Sequence, residues 1–89
     1  MTDGSQTGNL DGTVVDSSGN PLLGAMVTIT GPSFLIQYSN PQGQFQFLEI
    51  QPGSYEVIVE LAGYTVATQP ANIIAGKTTN IQITLKIDL

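Results

Sequence analysis

Apolar and polar residues alternate with a period of two along almost the whole chain. Between Leu10 and Asp16, Gly12 and Val14 alternate with Thr13 and Val15. Ala25, Val27 and Ile29 share one face of the next segment, with Met26, Thr28 and Thr30 on the other. Gln44–Leu48 alternates glutamine with phenylalanine. Tyr55, Val57, Val59 and Leu61 oppose Glu56, Ile58 and Glu60, and Ile81, Ile83, Leu85 and Ile87 oppose Gln82, Thr84, Lys86 and Asp88. Such alternation, with many β-branched residues, predicts half-buried strands. Phe34–Ser39 is a further strand, less regular because Phe34, Leu35 and Ile36 run together. Weaker strands are predicted over Tyr64–Thr68 and Ala71–Ala75. No segment carries a helical period.

Turn chemistry separates these segments. Asp16-Ser17-Ser18-Gly19-Asn20-Pro21 follows the first strand, and Asn40-Pro41-Gln42-Gly43 supplies a proline that presets φ and a glycine free to turn it positive. Pro52-Gly53 reads as the centre of a type II turn, and Ala75-Gly76-Lys77-Thr78 closes the last hairpin. Short strands punctuated in this way predict an all-β sandwich. Its predicted inward residues are Val14, Val27, Ile29, Phe45, Phe47, Tyr55, Val57, Val59, Ile81, Ile83 and Leu85. Val15, Ile58 and Val66 are candidates to point outward.

The chain has 89 residues, enough for a single small domain. Met1–Asn9 is polar and reads as a flexible linker or an appended expression segment, with the domain over residues 10–89. Cysteine is absent, so neither disulfides nor thiolate chemistry enter. Lysine and arginine together number 2 and the net charge is -5, which excludes a nucleic-acid partner. No apolar run approaches the roughly 20 residues that span a bilayer, so no membrane insertion is expected.

The runs Gly12-Thr13-Val14-Val15-Asp16, Gly19-Asn20-Pro21-Leu22 and Gly24-Ala25-Met26-Val27 resemble the opening of a carboxypeptidase regulatory-like domain. The resemblance continues through Gly43-Gln44-Phe45-Gln46-Phe47, Pro52-Gly53-Ser54-Tyr55-Glu56-Val57 and Ala62-Gly63-Tyr64, and ends with Gly76-Lys77-Thr78-Thr79 and the strand to Leu85. It covers residues 10–87. It implies a seven-stranded, Greek-key, prealbumin-like (transthyretin-like) sandwich. Modules of this kind are accessory domains beside metallocarboxypeptidase catalytic domains, at the front of TonB-dependent receptors, and in bacterial surface proteins.

Catalysis is poorly provided for. Related folds carry hydroxyisourate hydrolases, which need histidine and arginine, and intradiol dioxygenases, which need histidine and tyrosine ligands to iron. This chain has no histidine, and serine- or cysteine-nucleophile systems fail for the same reason. No enzyme activity and no cofactor are expected.

A weaker similarity to collagen-adhesin B-type domains runs from Gly53 to Tyr64. It implies an isopeptide bond promoted by a strand glutamate, for which Glu60 matches, with Asn80 as the acceptor. The first strand carries no lysine, so the bond is not expected. Asp16, with Ser18, Asn20 and Asp11, is a thin oxygen set for calcium, and the expectation is that Asp16 binds its own turn backbone.

Leu35, Ile36 and Tyr38, with Tyr64, are the candidate contact surface. The resulting expectation is a non-catalytic spacer or docking module of a larger exported bacterial protein, secreted or on the cell surface. Its partners are neighbouring domains of a parent chain, a surface protein or a glycan, and the isolated domain is expected to be a monomer. The alternative is a ligand-binding module for polysaccharide or a protein partner, with Tyr38 and Tyr64 as aromatic platforms.

Overall fold

A computed structural model describes residues 6–88. Its strands are β1 (Gly8–Val15), β2 (Met26–Thr30), β3 (Phe34–Tyr38), β4 (Gln44–Ile50), β5 (Gly53–Glu60), β6 (Ala67–Ile73) and β7 (Thr78–Thr84). They form a three-stranded sheet in the order β4-β1-β7 and a four-stranded sheet in the order β3-β2-β5-β6. Only the β2–β3 and β5–β6 connections stay within one sheet; the others cross the sandwich. This is the all-β sandwich expected from the alternation, with the seven strands that the family resemblance implies. All pairings are antiparallel except β1 with β7, which run parallel from Asn9↔Thr78 to Val15↔Thr84.

The core lies between the two sheets. Val14, Val27, Ile29, Phe45, Phe47, Tyr55, Val57, Val59, Ile83 and Leu85 are buried as predicted, and Ile81 is half-buried. Leu10, Ala25, Ile50, Ala71 and Ile73 complete the cluster. Phe45 and Phe47 meet edge to face with ring centroids 5.9 Å apart, the arrangement favoured by the aromatic quadrupole. The Phe45 ring occupies the space a Cβ on Gly12 would take, so glycine is what lets this ring lie against β1. Tyr55 is buried, and its hydroxyl donates to the Gln51 carbonyl at 2.6 Å. That bond satisfies the one polar atom the ring carries into the interior.

Four local readings are corrected. The two weak strands after Gly63 are the single strand β6, with Pro70 paired opposite Glu56. Proline lacks an N–H, but β6 is a sheet edge, where proline is tolerated; Tyr64 makes only an isolated bridge to Ile87. Val15 is buried rather than outward, because the chain beyond it closes back: Val15 bridges Pro21, and the Leu85 N–H donates to the Val15 carbonyl at 2.8 Å. The left-handed residue near Pro52-Gly53 is Glu49 (φ 57), whereas Gly53 has φ 139 and already begins β5. The Glu49 N–H is satisfied by Asn9 Oδ1 at 2.8 Å, where the β1–β4 register slips. Of the polar segment 1–9, residues 1–5 lie outside the described residues, and Gly8 and Asn9 open β1.

The turn at Asn40–Gly43 forms as its residue types dictate. Gly43 has φ 76 and its N–H donates to the Asn40 carbonyl at 2.8 Å. Asn40 Oδ1 accepts from the N–H groups of Gln42 and Gln44.

Candidate interaction surfaces

The register assigns the exposed side chains of the strands to faces. On the outer face of the four-stranded sheet, Ile36 stands beside Thr28 and Ile58, Tyr38 beside Met26 and Glu60, and Phe34 beside Thr30 and Glu56. Phe34 is 67% exposed, Tyr38 62% and Ile36 44%. Thr28, between Ile36 and Ile58, is buried although it faces out. The β3–β2 half of this face is therefore an apolar stripe, bounded on β5 by Glu56 and Glu60.

The structure divides the sequence-derived contact set. Ile36 and Tyr38 lie together on this stripe. Leu35 sits on the opposite side of β3, in line with buried Ile29 and Val57. Tyr64 is held at the Ile87 bridge beyond β7 and joins neither Ile36 nor Tyr38. Phe34 and Met26 belong to the stripe but were not singled out, because which β2 residue faces which β3 residue depends on the register. Ser17 to Leu48 contains no charged residue, so β2, β3 and all of β4 before Glu49 are electrically neutral.

A second feature is a concavity of about 730 Å³ that reaches from the outer face of the three-stranded sheet to Tyr38. Its lining includes Asp11, Gln44, Gln46, Asn80, Gln37 and Tyr38. Asp11 pairs with Gln46 on β4 and Asn80 on β7, so one row across the sheet holds a carboxylate between two carboxamides. Asp11 Oδ1 is shielded from solvent and accepts no hydrogen bond among the described residues.

The isopeptide geometry implied by the adhesin similarity is not assembled. Glu60 is exposed on β5 of the four-stranded sheet, and Asn80 is on β7 of the other sheet. The β1 residue beside Asn80 is Asp11, an acceptor with no amine to give.

Asp16 is engaged by its own turn. Its Oδ1 accepts from the Ser18 and Asn20 N–H groups, both at 2.9 Å, and its Oδ2 accepts from the Asn20 side chain at 3.3 Å. These bonds, led by the one from the Asn20 backbone, hold the carboxyl below its ordinary pKa against a smaller desolvation effect. No group of three or more potential metal ligands occurs among the described residues.

A two-sheet, seven-stranded sandwich with β1 and β7 parallel defines the prealbumin-like fold class. The sequence profile of the Carboxypeptidase regulatory-like domain matches residues 9–86, and the chain belongs to that family. No curated protein sequence matches the chain significantly.

Among solved structures, the Bacillus anthracis TIE protein superposes with a TM-score of 0.82 at 16% identity, covering 92% of this chain and 17% of that one. GBS52, the minor pilin of Streptococcus agalactiae, gives 0.77 at 17% identity, covering 94% and 46%. Hydroxyquinol 1,2-dioxygenase from Pseudomonas putida gives 0.75 at 10% identity, covering 99% and 58%. At these identities the similarity is one of fold. The chain spans less than two thirds of each of these proteins. The same sandwich thus occurs in a pilin and in a dioxygenase, so the fold by itself does not fix the function.

Proposed function

We propose that this chain is a non-catalytic structural and interaction module, a spacer or docking domain of a larger exported bacterial protein, secreted or on the cell surface. The observation that carries this reading is the charge-free stripe of exposed Phe34, Ile36 and Tyr38 beside half-buried Met26. A contiguous exposed apolar patch on a small soluble domain marks a contact surface. Family membership supports the accessory role, and likeness to parts of longer surface proteins such as GBS52 supports the setting. The chain also lacks histidine, the residue on which the chemistry of the related enzymes depends. A photo-reactive amino acid at Tyr38, in the parent protein on intact cells, tests the reading. Cross-links to another module or subunit are expected, and cross-links to none would overturn it.

A second reading is favoured by the concavity. A carboxylate oxygen without a donor, flanked by carboxamides and with Tyr38 at the rim, suits the hydroxyls of a neutral oligosaccharide. Titration with xylohexaose and cellohexaose should release heat with the native chain and not with Asp11→Ala. No heat with either sugar would dismiss this reading.

A further inference from the structure

We infer that β3 is an edge built for strand addition, and that its partner is β3 of a second copy of this chain. This rests on the interaction-module reading and specifies the partner and the geometry. A two-sheet sandwich has four edge strands, here β4, β7, β3 and β6. Exposed edges invite pairing and are ordinarily blocked by proline, charge, bulges or cover.

Three of the four edges are blocked. β6 carries Pro70 at its centre. β7 is bounded by Lys77 and Lys86, and Thr79 Oγ1 donates across to the Asn72 carbonyl of β6 at 2.9 Å. On β4 the Gln44 backbone is tied at both groups to Asn40, and Glu49 breaks the far end with its left-handed backbone. β3 has none of these devices: Phe34-Leu35-Ile36-Gln37-Tyr38 is exposed throughout, uncharged, and free of proline and bulge.

The hydrogen-bond phase of β3 follows from its neighbours. The Ser39 N–H donates to the Ala25 carbonyl at 3.0 Å, and in an antiparallel ladder bonded positions alternate. Gln37 and Leu35 therefore bond to β2, while the N–H and C=O groups of Phe34, Ile36 and Tyr38 point to the open edge. This set complements itself. In an antiparallel two-fold pairing centred on Ile36, Ile36 meets Ile36 and Phe34 meets Tyr38 of the other copy. Each pair then exchanges both of its hydrogen bonds, and the apolar stripe runs unbroken across the join.

Charge selects a second copy over a charged partner. Each chain carries -5, so two copies repel at most orientations. The nearest acids on this face, Glu56 and Glu60, lie on β5, two strands from the edge. Across the join, β5 of one copy is about 24 Å from β5 of the other, several times the roughly 8 Å screening length in physiological salt. A basic partner strand would find no acid between Ser17 and Leu48, the run that holds β2, β3 and the β2–β3 and β3–β4 connections. The pairing is isologous, so it closes at a dimer and exposes no new unguarded edge. It replaces the sequence-based expectation of an isolated monomer.

Sedimentation equilibrium over a concentration series tests the inference. The native chain should shift from monomer to dimer with concentration. Ile36→Lys, which places two ammonium groups at the symmetry centre, should raise the dissociation constant at least tenfold. Leu48→Lys, the same change at an exposed site on guarded β4, should leave it unchanged. Thermal melts of both variants control for folding. A spin label at Ile36→Cys should report dipolar contact between copies in the native-like dimer. A chain that stays monomeric to about 1 mM, or a dimer insensitive to Ile36→Lys, would overturn the inference. If the Tyr38 cross-links still reach a different module, the pairing fails and the interaction-module reading stands.

Discussion

On the β3–β4 side of the sandwich, the core and the connection after β3 are tightly tied while the β3 edge is left bare. Phe45 lies against Gly12, and buried Ser39 accepts from the Ala25 N–H at 2.9 Å and donates to the Leu22 carbonyl at 2.7 Å. β3 itself is exposed and neutral. On the β6–β7 side the order is reversed. The edge residues are Thr, Asn, Gln and Pro, and lysines flank β7. The side-chain bond between the two strands, from Thr79 to Asn72, is solvent-exposed. The difference teaches that burial and protection are separate. One side invests its polar residues in fixing the backbone beneath a bare edge, and the other spends them on the edge itself.

Four changes probe that contrast. Phe45→Ala removes the ring that fills the β3–β4 side and should destabilise the chain by about 3–5 kcal/mol in urea unfolding. A loss below about 1 kcal/mol would mean this side is not the better packed. Ser39→Ala strips a buried N–H of its acceptor and should cost about 1–3 kcal/mol. It should also speed amide exchange at Ala25 and in β3 while leaving β6 unchanged. Thr79→Val removes the exposed counterpart on the other side and should cost no more than about 0.5–1.5 kcal/mol. If Thr79→Val costs more than Ser39→Ala, the contrast is inverted. The smallest effect belongs to Asp16, at the loop shared by neither side. Its pKa is lowered on folding, so its contribution is present above the unfolded value of about 4 and fades as pH drops through the lowered one. The difference in Tm between the native chain and Asp16→Ala should therefore shrink on acidification across that window. A difference that widened would contradict the turn geometry.

The strands and most of the core were legible because alternation depends on local sequence alone. Leu10 was within reach of the same rule, since stepping back by two from Val14 gives Gly12 and then Leu10. The break placed in β6 falls at Gln69-Pro70, and whether a proline is tolerated inside a strand depends on whether that strand is central or at an edge, which is a property of topology. For the same reason the contact set divides between faces. Leu35 and Ile36 are adjacent and equally apolar, and only the pairing with Ile29 and Thr28 places them on opposite faces. The row Gln46–Asp11–Asn80 joins three strands far apart in sequence, and no local pattern announces it.

The parallel pairing of β1 with β7 also governs how this unit answers to tension. Because both strands point the same way, the start of β1 and the end of β7 lie at opposite poles of the sandwich. Pulling those two points apart drags β1 and β7 lengthwise past each other. The whole ladder from Asn9↔Thr78 to Val15↔Thr84 is then loaded at once, instead of being unzipped rung by rung. A protein strung from such units in series would resist stretching through this one pair of strands.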